Sequence, residues 1–213
     1  MTNSNPNFIV GIGGSAGGLK AYTALLERLP IDTGMAFVFI AHLSPTGNSL
    51  LPHILSQSTR MPAAQASDGM PIEANHVYVI PPNANLLMEN YVFKVVSPRT
   101  MNQGRHNQVD HFLISLAEAM GTRAIGIILS GGDGDGTEGC GAIKASGGKT
   151  FAQDLSADVD SMPLHAQASG CVDLVLPPDK ISDELTKIST QFAHGVERDQ
   201  SSKQDRNKGS LNA

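Results

Sequence analysis

The chain has 213 residues and a formal net charge of −5, enough for one large domain or two small ones. It carries no Lys/Arg run or basic patch, which excludes the usual footprint of a nucleic-acid partner; no apolar run approaches the length of a membrane span, so a membrane-embedded protein is not expected. The N-terminal Met1-Thr2-Asn3-Ser4-Asn5 lacks the basic region and apolar core of a secretory signal, and two cysteines, Cys140 and Cys171, suit a cytoplasmic, reduced protein that buries them as small hydrophobes.

Residues 1–7 are polar and read as a disordered N-terminus. Phe8-Ile9-Val10 opens a buried strand that runs into the small-residue turn Gly11-Ile12-Gly13-Gly14-Ser15-Ala16-Gly17-Gly18. From Leu19 the pattern turns helical, with Tyr22, Leu25, Leu26 and Leu29 at helical spacing. Such a turn aims backbone amides at a helix N-terminus, where negative charge is stabilised. Two chemistries fit it: phosphate binding on the amides, or a nucleophilic Ser15 whose oxyanion the amides hold. A plain tight turn without chemistry is equally compatible with these residues alone.

Met35–Ala41 is a second apolar strand, ending at His42. A turn over Leu43–Gly47, a helix over Ser49–Ser58 and a short strand near Ala63–Ala66 follow. The runs His76–Ile80, Asn85–Met88 and Tyr91–Val95 are separated by Pro81-Pro82-Asn83 and Glu89-Asn90, which predicts antiparallel hairpins at one edge of a sheet. Val96–Asn107 is a polar loop and Val109–Met120 an amphipathic helix. Ala124–Leu129 is the third strong strand and runs into Ser130-Gly131-Gly132-Asp133-Gly134-Asp135-Gly136. A helix over Thr137–Ala145 stops at Gly147-Gly148. Strands at Thr150–Ala152 and Val172–Leu176 flank a helical turn near Pro163–Ala168, and a last helix runs from Pro178 to about Phe192. Residues 194–213 are polar without periodicity and read as a disordered tail or linker. The expected domain is 8–193.

Alternating strands and helices predict an α/β fold with a doubly wound, mostly parallel sheet. Ligands of such folds sit at the carboxyl ends of strands, at a switch point in strand order. Ser15, His42 and the Asp133/Asp135 pair each follow an apolar strand. If those strands are neighbours, a nucleophile, a base and a carboxylate converge. The order Ser…His…Asp differs from that of α/β-hydrolases, and no G-x-S-x-G elbow is present. His53, His76, His106, His111, His165 and His194 have no comparable position, although His106 and His111 would suit a cleft wall. No histidine pair has metal-ligand spacing, so neither metal nor cofactor is expected. Cys140 lacks a local histidine, and Ser130 reads as a backbone-bonding turn residue. A nucleotide-binding module is the alternative. Against it, His42 stands where a ribose-binding acid is expected, and the turn has no Walker lysine. A third reading is a catalytically weak docking domain.

Gly11-Ile-Gly-Gly-Ser15-Ala-Gly-Gly18, Ala41-His42-Leu-Ser-Pro45, Asn75-His-Val-Tyr-Val-Ile-Pro-Pro-Asn83, Ile128-Leu-Ser-Gly131, Asp135-Gly-Thr137, Ala142-Ile-Lys-Ala145, Gly147-Gly148 and Ser161-Met-Pro163 together resemble the catalytic domain of the chemotaxis protein-glutamate methylesterase CheB. They are most similar to the esterase domain that begins CheB–CheR fusion proteins. The resemblance covers roughly Phe8 to Phe192. It implies a serine esterase that hydrolyses glutamate methyl esters on chemoreceptor cytoplasmic helices and deamidates certain receptor glutamines. It further implies a downstream CheR-type methyltransferase domain as partner. Carried over by motif, Ser15 is the nucleophile, His42 the base and Asp135 the triad carboxylate, with the amides of Ala16 and Gly132 as oxyanion donors.

Two features depart from the family. The family's N-terminal receiver domain is not expected here, since the motif opens the sequence, and Asp133 stands where the family usually has an uncharged residue, adding a carboxylate that would compete for the histidine. Of the two aspartates, Asp135 adjoins the expected start of a helix, whose amides would hold it ionised. Asp133 lies between glycines, where a solvated side chain is expected.

Overall fold

The computed structural model describes residues 5–44, 49–99 and 107–209, with side chains to Gly195. Seven parallel strands form the main sheet, in the order β3-β4-β2-β1-β7-β8-β9. In chain order they are β1 (Phe8–Gly14), β2 (Met35–Ala41), β3 (Ala63–Gln65), β4 (His76–Val79), β7 (Ala124–Ile128), β8 (Lys149–Gln153) and β9 (Leu174–Leu176). Between β4 and β7, β5 (Asn85–Glu89) and β6 (Val92–Val96) pair antiparallel as a separate two-stranded sheet.

The expected hairpin therefore exists, but it stands apart from the main sheet. The first of the three short runs, as β4, pairs parallel with both β2 and β3 inside that sheet. Its Val77, Tyr78 and Val79 are all buried, Tyr78 in the core on one side of the sheet and Val77 and Val79 in the core on the other, so the strand is covered on both faces.

Helices α1 (Gly18–Arg28), α2 (Leu51–Gln57) and α6 (Pro178–Gly209) cover one face. Tyr22, Leu25, Leu26, Leu55, Ile181 and Leu185 meet Val10, Ile12 and Phe37 there. Helices α3 (Gln108–Met120), α4 (Thr137–Ala145) and α5 (Ser161–Ala168) cover the other face. Phe112, Leu113, Ile143 and Met162 pack there with Ile9, Val38 and the hairpin's Leu86 and Phe93.

Helix α3 lies close on β1 because that strand presents no side chains to it at two positions. A Cβ on Gly11 would stand 2.5 Å from Leu113 Cδ2, and one on Gly13 would stand 2.4 Å from Val109 Cγ1. The glycines of the motif thus set a helix-to-sheet distance as well as a turn.

Two terminal expectations change. Pro6 is buried and the Asn7 amide donates to Gly34 O at 2.8 Å, so residues 5–7 are ordered; residues 1–4 lie outside the described residues. At the other end, α6 continues through Gly209, past the stop expected near Phe192. The stretch contains no proline to end it. The turn expected over Leu43–Gly47 and the loop over Val96–Asn107 fall partly outside the described residues, His106 among them. Among the described residues no helix is long and apolar enough to cross a membrane.

Candidate active site

The register of the three central strands places the site. Gly14 pairs with Ala41, so Ser15 and His42 are the first residues beyond β1 and β2 at one level of the sheet. On the other side Gly13 pairs with Ile128 of β7, and the Ser15 amide donates to Ser130 O at 2.8 Å. The chain leaves β1 toward β2 and later returns as β7 on the opposite side. The carboxyl end of β1 is therefore the switch point of this sheet.

Between Ser15 and α1 the backbone turns tightly. Gly17 has φ 75°, and a Cβ there would stand 2.6 Å from Ser130 Oγ. The Gly18 amide closes the turn on Ser15 O at 2.9 Å. Ser130 is the expected backbone-bonding residue. Its buried hydroxyl lies 2.8 Å from Ala16 O and 3.1 Å from Val159 O, and accepts the Val159 amide at 3.0 Å. It ties the Ser15 turn to the loop after β7. Among the described residues, the amides of Ala16 and Gly132 donate to no backbone or side-chain group.

His42 is nearly enclosed, its side chain 5 % exposed, and its Nε2 lies 2.8 Å from Asp135 Oδ2. Asp135 is fully buried at the side chain. Its Oδ2 also accepts the Val109 amide and its Oδ1 the Asp110 amide, each at 3.0 Å. Burial works to raise this carboxyl. The bond from His42 and the two amides outweigh it and hold the group below the usual carboxylate range. An ionised carboxylate only accepts, so Nε2 carries a proton, and in the neutral ring Nδ1 is then the basic nitrogen.

The amides that hold Asp135 come from the first turn of α3, not from α4 as its position before Gly136-Thr137 suggests. Asp110 completes an exchange between the two helices. While its amide donates to Asp135, its own Oδ1 accepts the Gly139 amide of α4 at 2.8 Å. Burial chiefly, then the charges of Asp135 and Glu138, push the Asp110 carboxyl up to about 7. The sequence reading passed over Asp110. The available signal was an acid in the first turn of an amphipathic helix.

Asp133 is not a simply solvated loop-tip residue. Its Oδ2 stands 3.4 Å from His42 Nδ1 and its side chain is 37 % exposed. Its Oδ1 accepts the Asp135 amide at 3.1 Å.

Ser15 and His42 line one cleft of about 270 Å³, walled by Leu19, Tyr22, Leu43, Leu51 and Ile54. A larger hollow of about 430 Å³ lies between the hairpin and α3 and includes none of these groups. The remaining described histidines sit elsewhere. His53 faces Gln57, His76 Nδ1 donates to Ala74 O, and His165 Nδ1 donates to Ser161 O. His111 meets Asn107. Cys140 and Cys171 are buried and unbridged.

The family model described as CheB methylesterase matches residues 10–185. The chain belongs to this family. A Leptospira interrogans relative is 32% identical over 83% of this chain and 92% of its own length. Protein-glutamate methylesterase/protein-glutamine glutaminase 3 of Geobacter sulfurreducens is 31% identical over 83% of this chain. This chain spans only 49% of that longer relative. The crystal structure of the Thermotoga maritima CheB methylesterase catalytic domain superposes with a TM-score of 0.77 at 27% identity. The match covers 85% of this chain and 98% of that one. As a CheB methylesterase family member, the chain has the doubly wound sheet that its alternating pattern predicts.

Proposed function

We propose that this chain is a serine esterase that hydrolyses methyl esters of glutamate side chains on chemoreceptor cytoplasmic helices and deamidates receptor glutamines. Ser15 is its nucleophile, His42 its base and Asp135 the carboxylate that fixes the histidine. The observation that carries this is the meeting of these residues across three adjacent strands, with His42 Nε2 2.8 Å from a fully buried Asp135. The names of the relatives supply the substrate class.

The Ser15 hydroxyl attacks the ester carbonyl carbon while its proton passes to His42 Nδ1. Asp135 supports the imidazolium so formed. Charge develops on the carbonyl oxygen, for which the amides of Ala16 and Gly132 are the available donors. Collapse breaks the bond to the methoxy oxygen, which leaves as methanol with the proton from His42. The glutamyl–Ser15 ester remains. Water then attacks it, giving its proton to His42, and the product leaves as glutamate with Ser15 restored. With a glutamine substrate the first leaving group is ammonia.

We assign this activity to residues 8–193, in a cytoplasmic protein needing no metal or cofactor. A downstream CheR-type methyltransferase domain is its natural companion, because an enzyme that installs the methyl ester supplies what this one removes.

Methanol release from a methylated receptor fragment tests the reading. Ser15→Ala should lose several orders of magnitude of turnover with its urea midpoint unchanged, because members of such a unit fail together. A serine-directed phosphonate should label Ser15. Label on another residue, or turnover retained in Ser15→Ala, would refute the assignment.

A further inference from the structure

The geometry points to Asp133 as a positioning residue that occupies His42 Nδ1 in the resting enzyme and so competes with Ser15 for the base. This rests on the reading of His42 as the base that serves Ser15. The imidazole has two ring nitrogens, and Nε2 is committed to Asp135. The nitrogen left to take the Ser15 proton is Nδ1, and Asp133 Oδ2 stands 3.4 Å from it.

A carboxylate only accepts hydrogen bonds. Its contact with Nδ1 is therefore favourable when that nitrogen bears a proton, and a ring in that form takes none from Ser15. The contact therefore favours the ring with a proton on both nitrogens over the ring that can accept one from Ser15.

Asp133 is built into this position. Its Oδ1 accepts the amide of Asp135 two residues on, at 3.1 Å, the geometry of an Asx turn. The carboxylate is thus fixed to the loop that carries the triad acid. The hold differs from that of Asp135 in one physical respect. The Asp135 side chain is fully buried and that of Asp133 is 37 % exposed, so dissolved salt screens the second carboxylate and leaves the first almost untouched. Departure of Asp133 from Nδ1 is then the step that arms the site, and its competition makes the resting nucleophile slow.

The test is the rate at which a phosphonate labels Ser15 in the full chain, for wild type and Asp133→Asn, at low and high salt. Asparagine keeps an oxygen for the Asp135 amide and removes the charge that faces His42. At low salt the variant should label about two- to fivefold faster, the scale of a partly exposed charge pair. Added salt should speed the wild type toward the variant and leave the variant unmoved. Equal or slower labelling of Ser15 in Asp133→Asn, or a wild-type rate indifferent to salt, would overturn the proposal and leave the nucleophile assignment standing. Failure to label Ser15 in either protein would remove the assignment and this proposal together.

Discussion

Asp135 accepts three hydrogen bonds, all from donors: Nε2–H of His42 and the amides of Val109 and Asp110. An asparagine there has one oxygen to offer, so its NH₂ must face either an amide or the imidazole. The ring relieves that conflict by moving its proton to Nδ1, which disables the base. Asp135→Asn should accordingly lower turnover by on the order of 10³–10⁴, as the same tautomer error does in serine proteases. Methanol release from one methylated receptor peptide, measured beside Asp133→Asn, checks this. A larger loss in Asp133→Asn would reverse the roles of the two aspartates. The sequence favoured Asp135 because it adjoins a helix start. The direction of its partners was not legible, because the approach of α3 is a tertiary event. Nor was the contact of Asp133 with His42, since alternating glycines leave a side chain's direction open.

At the level of elements, the site depends on how closely α3 sits on β1. Val109 both packs over Gly13 and supplies one of the amides that hold Asp135. Gly13→Ala places a methyl group where Val109 Cγ1 lies 2.4 Å away. Overpacking of this kind should cost about 1–3 kcal/mol in urea unfolding. It should also lower turnover beyond any loss of folded protein, because the first turn of α3 is displaced from Asp135. Unfolding curves and methanol release on the same samples separate the two effects. Strands β1, β2 and β7 were readable because their apolar runs are uninterrupted and end in turn residues. The run His76–Val79 was not, since burial on both faces depends on which strands flank it. Short apolar segments before and after prolines look alike whether they join the parallel sheet, as β4 does, or pair with each other, as β5 and β6 do.

Across the whole molecule, the exchange between α3 and α4 ties stability to pH. The folded state pushes Asp110 up to about 7, so between the ordinary carboxylate range and that value it binds a proton the unfolded chain has released. Stability from this group therefore falls as pH rises through that window. Asp135 acts in the opposite sense. Its folded value is depressed, so its contribution is complete above the ordinary carboxylate range and is lost as pH falls through the folded value. The unfolding free energy from urea titrations should thus decline between about pH 4 and 7, by on the order of 1–2 kcal/mol once solvent screening of the half-buried group is allowed for. Asp110→Asn, which keeps an oxygen for the Gly139 amide, should flatten that decline. An unchanged slope in the variant would place its origin in another group.

The position of β1 at the centre of the sheet bears on how the protein is made. One of its edges pairs with β2, which follows soon after, but the other waits for β7, which begins at Ala124. During synthesis the growing chain carries an unsatisfied edge through more than a hundred residues, the circumstance in which nascent sheets recruit a neighbouring molecule. Three of the seven residues of β1 are glycines, whose low strand propensity and high backbone entropy weaken pairing along such an edge. The glycines that admit α3 in the finished protein also leave the waiting strand a poor template for its siblings on the polysome.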